Sequence, residues 1–441
     1  MVTSITAHPV STVRRQFISF RVADFQRTKL QMLSWANQLN ICCFLDNQHY
    51  HLPHHSFECM AAAGSVQTLV TGAGNAFEQL QQLYEQNRDW LFGHLSYDLK
   101  NETEGLASNN TDRIGFPDLC FFIPEVILQL SGQELLIGAF DNRHENIFHE
   151  ICATEPPTVA NQRLPTPINN RINKNEYIRI IQQLQQHILR GDCYEINFCQ
   201  EFFAEQVAID PLPVYCSLSN TSPNPFSAYY KTGQQYLLCA SPERYLKKEG
   251  NHIFSQPIKG TSQRNLQDAG EDVKNKEHLY HSSKDRSENV MIVDLVRNDL
   301  SKICEEASVQ VDELFGIYSF PQVHQMISTV SGRLRSDIHF IEAIKATFPM
   351  GSMTGAPKKR VMELIEQYEQ TRRGIFSGAV GYITPEGDFD FNVVIRSIMY
   401  NGASKYLSFQ AGSAITFYSD PEKEYEECLL KAAAIKKVLG G

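Results

Sequence analysis

The stretch Phe254-Ser255-Gln256-Pro257-Ile258-Lys259-Gly260-Thr261 constrains the fold more than any other. A short apolar segment runs into a proline, which fixes its own φ and biases Gln256 toward extended geometry. Gly260 then permits a close approach of the backbone. A lysine between Ile258 and Gly260 is either a strand-end cation in solvent, the common fate of lysine, or a desolvated amine. In the second case it loses basicity and becomes a nucleophile near neutral pH. Ser241-Pro242-Glu243-Arg244-Tyr245 follows the strand-like run 236–240. A hairpin over 245–254, turning at Gly250-Asn251, brings Glu243 near Lys259, as an ion pair or as an acid–base couple.

Composition narrows the class. A chain of 441 residues holds two or three domains at ordinary sizes. A net charge of -10 argues against nucleic acid or an anionic membrane as the main partner. Eleven cysteines without metal spacing fit free thiols in a reducing cytoplasm better than a disulfide framework. No basic segment followed by an apolar run marks a signal peptide. The apolar run 119–128 is too short to span a bilayer and contains Pro124 and Glu125. The expectation is a soluble cytoplasmic protein with no membrane segment.

Residues 1–150 mix short β-rich runs, such as 41–45 and 119–130, with helical stretches near 76–89. Pro156, Pro157, Pro165 and Pro167 make 151–172 a linker, leaving 173–441 as the larger region. There Asn173 caps a helix, with Glu176 completing a capping box and Gly191 ending the run. The alternation over 194–202 predicts a strand with Glu195, Asn197 and Cys199 on one side. A long helix over 272–300 puts Asp285 and Glu288 on one face, directly before the apolar run 290–293. The last helix is capped by Asp420, with Pro421 in its first turn and Glu424 and Glu427 again three apart. Each pair alone reads as solvated charge. Two pairs on separate helices supply oxygen ligands for a hard divalent cation such as Mg²⁺.

Residues 348–358 invite a phosphate-loop reading that fails: Ala356 and Pro357 stand where the second glycine and the lysine belong. They read instead as a loop opening a helix at Pro357, whose first turn offers free N–H groups. Segments 378–383 and 389–399 look like paired strands. Arg396, the lone charge of its strand, needs a carboxylate from protein or ligand. Ala411-Gly412-Ser413-Ala414 is a small-residue patch suited to close ligand approach.

Together these motifs resemble the chorismate-utilising enzymes. The resemblance runs from Asn173 to the C-terminus, through Ser-Pro-Glu-Arg at 241, Asp-Arg-Ser-Glu-Asn at 285, Asp294 to Asp299, Gly-Ser-Met-Thr-Gly-Ala-Pro-Lys at 351, and Glu424 with Glu427. It is weaker before the linker, where 93–99 still fits, so residues 1–150 look like an N-terminal companion region. It implies an α+β fold with two large antiparallel sheets packed as a sandwich and helices outside. Lys259 then selects within the family. Anthranilate-forming members carry alanine there, whereas the branch forming 4-amino-4-deoxychorismate for p-aminobenzoate and folate carries lysine in the same context. Isochorismate- and salicylate-forming members place a base lysine at the position of Glu195 instead.

The resemblance further implies Mg²⁺ held by Glu288 and Glu427 and supported by Asp285 and Glu424. Gly260, Thr261 and Thr354 would seat the ring, and Arg396, Tyr382 and the amides of Gly412, Ser413 and Ala414 would hold the enolpyruvyl carboxylate. Lys259 is the implied nucleophile and Glu243 the acid. A separate glutamine amidotransferase subunit would supply ammonia. Three departures stand out: Gln325 follows His324 where relatives carry histidine, Ala414 replaces glycine, and Glu195 replaces the glutamine of amine-adding members. Anthranilate formation and a catalytically silent chorismate-binding subunit are the alternatives.

Overall fold

The computed structural model describes residues 14–50, 54, 57–158, 167–320 and 323–440. Its short β-branched and aromatic runs assemble into two antiparallel sheets, one of twelve strands and one of ten. In the first, Gln16–Arg21, Glu134–Ala139, Val126–Ser131, Cys59–Ala63 and Ile41–Asp46 lead to Phe226–Thr232. Gln235–Ser241, Ser397–Asn401, Tyr406–Ile415 and Glu195–Ala204 follow. The second runs from Ile258–Gln263 through Val323–Arg333, His252–Gln256, Arg244–Glu249 and Phe389–Asn392 to Ala379–Ile383, Leu91–Leu95 and Leu119–Ile123.

Strand periodicity builds the layers. Ile41, Cys43 and Leu45 point into a core shared with Leu91, Leu95 and Leu119 of the other sheet. Cys42 and Phe44, on the opposite face, pack with Trp35, Tyr177 and Tyr215 of the outer helices. The sheets therefore face one another with helices outside, the expected α+β sandwich.

The stretch 151–172 divides neither sheet. Ile41–Asp46 pairs with Phe226–Thr232, and Leu91–Leu95 with Ala379–Ile383, so both sheets run across it. Residues 159–166 lie outside the described residues. The apolar run 119–130 is two strands, Leu119–Ile123 in one sheet and Val126–Ser131 in the other, with Pro124-Glu125 at the crossing.

Two expected elements are broken. The helix over 272–300 is interrupted at Ser282, which leaves the helical region (ψ 112°) and caps the second piece through the Asp285 amide. Ala269–His281 and Ser283–Ser301 result. The strand over 389–399 stops at Asn392, and Arg396 adopts a left-handed φ of 54° before the chain resumes at Ser397. That conformation is uncommon without glycine and re-aims the guanidinium.

Candidate active site

The Gly250-Asn251 turn joins Arg244–Glu249 to His252–Gln256, with Arg244 opposite Gln256. Pro257 ends the second strand, and Ile258–Gln263 continues along the same edge of Val323–Arg333 with a bulge between Ile258 and Thr261. Gly260 sits in that bulge at φ 91°. A Cβ there would come within 3.0 Å of Asp285 Cβ and 3.1 Å of Leu279 Cδ1. Its small size thus lets two helices approach the strand. The irregularity turns Lys259 toward the other sheet, where Nζ donates to Glu195 Oε1 at 2.9 Å.

This pair corrects the expectation of a lysine made less basic by burial. Burial does press its pKa down, but Glu195, Glu288 and Glu243 outweigh it and push the value up to about 12. The resting amine is an ammonium. Glu195 is itself buried, and its second oxygen, Oε2, has no hydrogen-bond partner.

Glu243 follows the Ser241-Pro242 corner, where its amide donates to Ser241 Oγ at 3.2 Å. Its carboxyl is buried, and burial pushes its pKa up to about 7 despite the Ser352 hydroxyl, the Lys259 ammonium and the Ile258 amide. The raised value keeps the acid form accessible near neutral pH, as a general acid requires. Of the two readings of Glu243 beside Lys259, the direct ion pair belongs to Glu195.

Three of the four helical acids, Glu288, Glu424 and Glu427, converge, while Asp285 faces Gly260. Glu288 and Glu424 are buried, while Glu427 is part-exposed. Among the described residues, no three acidic, His or Cys side chains are close enough to form a finished metal site. A cation already lies between them: Lys284 Nζ is 3.8 Å from Glu288 Oε1, 3.3 Å from Glu424 Oε1 and 4.0 Å from Glu427 Oε2. Glu288 Oε1 and Glu424 Oε2 are buried without a hydrogen bond. Burial raises the pKa of Glu288 to about 7. Hard, under-satisfied oxygens from two helices suit Mg²⁺. Asp285 lies beside Gly260 and its amide is held by Ser282 Oγ.

Arg396 Nη1 donates to the Lys431 carbonyl at 3.2 Å, and burial lowers its pKa against the pull of Glu427. Ala411 to Ala414 lie in the strand Tyr406–Ile415, against 197–200. Gly412 is small because a Cβ would overlap the Phe198 carbonyl, and its own carbonyl accepts from Lys431 Nζ at 2.9 Å. Ser413 Oγ is buried near the Tyr177 hydroxyl without a formed hydrogen bond, and Ala414 stands opposite Asn197. Tyr382 lies elsewhere: its ring packs with Phe57, Trp90 and Phe92 in the core between the sheets. Of the two threonines expected to seat the ring, Thr354 spends its hydroxyl on the Met350 and Gly351 carbonyls. Thr261 is exposed, opposite Gln325. His324 is fixed between Ser319 and Asp272, whereas Gln325 Oε1 has no partner.

Several residues went unassigned in the sequence. Glu369 accepts from the Cys199 amide and pairs with Arg373, which donates to the Asn197 and Met353 carbonyls. This buried pair ties the strand carrying Glu195 to the 351–353 turn. Lys358 pairs with Asp299 at 2.6 Å, joining two of the sequence motifs. Lys284 and Lys431 each lie four residues from a site glutamate, the one signal that marked them.

A buried lysine paired across the two sheets, a buried carboxylic acid and carboxylates converging from two helices form a candidate active site. The family model for chorismate binding enzymes matches residues 42–437, and the chain belongs to that family. Aminodeoxychorismate synthase component 1 of Escherichia coli (strain K12) is 30% identical over 446 residues, covering 95% of this chain and 96% of that one. A probable chloroplastic aminodeoxychorismate synthase of Oryza sativa subsp. japonica is 36% identical over 388 residues, covering 79% of this chain but only 43% of that longer one. Anthranilate synthase component I from Streptococcus pneumoniae TIGR4 shares the fold, with a TM-score of 0.77 at 24% identity over 90% of this chain and 95% of that one. No helix among the described residues is long and apolar enough to cross a membrane.

Proposed function

We propose that this chain converts chorismate and ammonia to 4-amino-4-deoxychorismate through a covalent adduct at Lys259. The observation that carries the reading is the placement of Lys259 beside Glu195, with Glu243 at a pKa of about 7 facing the same amine. The names of the relatives support the same product. Arg396, hydrogen-bonded to a carbonyl rather than to a carboxylate among the described residues, is the group that would grip the enolpyruvyl carboxylate. The buried Ser413 hydroxyl would assist.

Lys259 first gives its proton to Glu195. The freed Nζ attacks ring C2, the double bond shifts, and the C4 hydroxyl leaves as water with the Glu243 proton. Ammonia adds at C4 and expels Nζ. Glu195 returns its proton to the lysine, and the new C4 ammonium reprotonates Glu243. Glu288 and Glu427, supported by Asp285 and Glu424, would hold Mg²⁺, which would neutralise the ring carboxylate and the charge developing around it.

Ammonia would come from a separate glutamine amidotransferase subunit acting in the cytoplasm. Mass identification of the product from chorismate, Mg²⁺ and ammonium, with and without a separate lyase, tests the reading. The expected result is 4-amino-4-deoxychorismate that the lyase converts to p-aminobenzoate. Anthranilate as sole product, or tight binding without turnover, would overturn it.

A further inference from the structure

We propose that Lys284 is the resident counter-ion of the carboxylate cluster, and that its ammonium and the divalent cation occupy the cluster in turn. The proposal rests on the metal reading above. It concerns what holds the site together before metal arrives and what metal must displace.

Lys284 projects from the first turn of Ser283–Ser301, one helical turn before Glu288. Its Nζ reaches three carboxylates on two helices, at 3.3, 3.8 and 4.0 Å. Only the contact to Glu424 Oε1 is a hydrogen bond. Close charge-assisted pairs settle nearer 2.8 Å, about the distance of a committed donor. An ammonium shared among three acceptors at longer range offsets part of the cluster's negative charge without saturating its oxygens, and Glu288 Oε1 and Glu424 Oε2 keep unfilled acceptor capacity.

The neighbouring lysine behaves differently. Lys431 Nζ sits 2.7 Å from Glu427 Oε1 and 2.9 Å from the Gly412 carbonyl, so it is fixed to the sheet. No carbonyl among the described residues anchors Lys284 in this way, and its side chain is 55% exposed against 2% for Glu424. Its ammonium can swing into water by changing side-chain rotamers while the helix stays in place. Mg²⁺ draws oxygens to about 2.1 Å, leaving no room for an ammonium between the same carboxylates. Occupation is therefore exclusive. Lys284 keeps the two helices together in the metal-free protein and weakens metal binding by competing for the same oxygens.

The test compares the full chain with Lys284→Met, which keeps the stem and removes the charge. Calorimetric titration with Mg²⁺ should show binding tightened roughly tenfold in the variant, the scale of one half-buried charge pair. In chelator the variant should melt below the parent protein, and Mg²⁺ should close that gap. A second measurement needs no variant: acylation of lysines on the unaltered protein, read by peptide mass, should label Lys284 faster in saturating Mg²⁺ than in chelator. Equal or weaker Mg²⁺ affinity in Lys284→Met, or labelling that ignores Mg²⁺, overturns the exchange. If the variant does not fold, the labelling decides. Absence of Mg²⁺ binding by the unaltered protein would fail the metal reading and this proposal together, whereas normal binding with no change in Lys284 would fail the exchange alone.

Discussion

The ammonium of Lys259 lies 2.9 Å from Glu195 Oε1, joining the strand Ile258–Gln263 of one sheet to Glu195–Ala204 of the other. The attacking group is thus stored as half of an ion pair, and its proton must leave before attack. Glu195→Gln preserves shape and hydrogen bonding but removes the charge that holds the lysine protonated. The pKa of Lys259 should fall by about one unit or more, since an opposite charge at this range is worth that much. The acidic limb of the rate profile for adduct formation should move to lower pH by the same amount. A limb that stays in place would show that Glu195 does not control the lysine.

Glu243 combines two consequences of burial. Its pKa rises from 4.5 to about 7, so the acid form needed for catalysis is lost as pH rises through 7. The basic limb of kcat/KM should report that loss, and Glu243→Gln should reduce kcat by roughly a hundredfold or more. Stability moves the same way. The folded protein binds this proton more tightly than the unfolded chain, so stability is full below pH 4.5 and declines as pH rises toward 7 and beyond. At pH 8 the neutral amide should therefore recover up to about 3 kcal/mol, the free energy of moving a carboxyl from 4.5 to about 7. Melting of parent and variant at pH 5 and pH 8 checks the sign: a gain confined to pH 5 would contradict it.

Glu288 and Glu427 sit on different helices and meet around one cation, Lys284. Glu288→Ala or Glu427→Ala should cut turnover at least about a hundredfold while leaving the far-ultraviolet dichroism and the cooperative melt intact. Full activity of the unaltered protein in excess chelator would remove Mg²⁺ from the scheme.

Lys259→Ala should abolish the covalent route and leave at most slow chemistry in which ammonia or water adds directly. Quenching the unaltered enzyme and mapping peptides by mass should find substrate attached at Lys259. An unchanged rate in the variant, with no trapped adduct, would sink the covalent step.

Much of the local structure was legible because short-range chemistry fixes it. Asn173 accepts from the Glu176 amide, Asp420 from the amides of Glu422 and Lys423, and Gly250-Asn251 turns the hairpin as the spacing requires. What was hidden depends on partners far along the chain. Pro124-Glu125 interrupts an apolar run, but nothing local says that its halves join different sheets. Tyr382 sits in an alternating strand, and only the assembled sheets show its ring turned toward Trp90 and Phe92. Nothing local marks Arg373 and Glu369, yet their pair is buried beneath the strand that carries Glu195. Long-range ion pairs decided the lysine's protonation as well: burial alone argued for a neutral amine, and Glu195, sixty-four positions away, reverses it.

The source of nitrogen gives the last prediction. A glutaminase of the relevant type needs a cysteine activated by a histidine with a carboxylate behind it, on a sharp exposed turn. All eleven cysteines lie among the described residues, and ten are buried. Burial pushes these thiols away from the thiolate: Cys193, Cys304 and Cys428 to about 11, Cys199 and Cys216 to about 12. Cys152, the exposed one, is also raised, and lies near the end of the helix His144–Ala153. Cys199 and Cys428 make their contacts to Asn197 and the Ala411 carbonyl, and no histidine among the described residues hydrogen-bonds to either. A thiol held in this way is inert toward glutamine at neutral pH. The chain should therefore aminate chorismate with free ammonium but not with glutamine, and should gain glutamine dependence only when a separate glutaminase subunit is added. Product formation from glutamine by this chain alone, after rigorous removal of ammonium and of any copurifying amidotransferase, would show that one of these cysteines is catalytic after all.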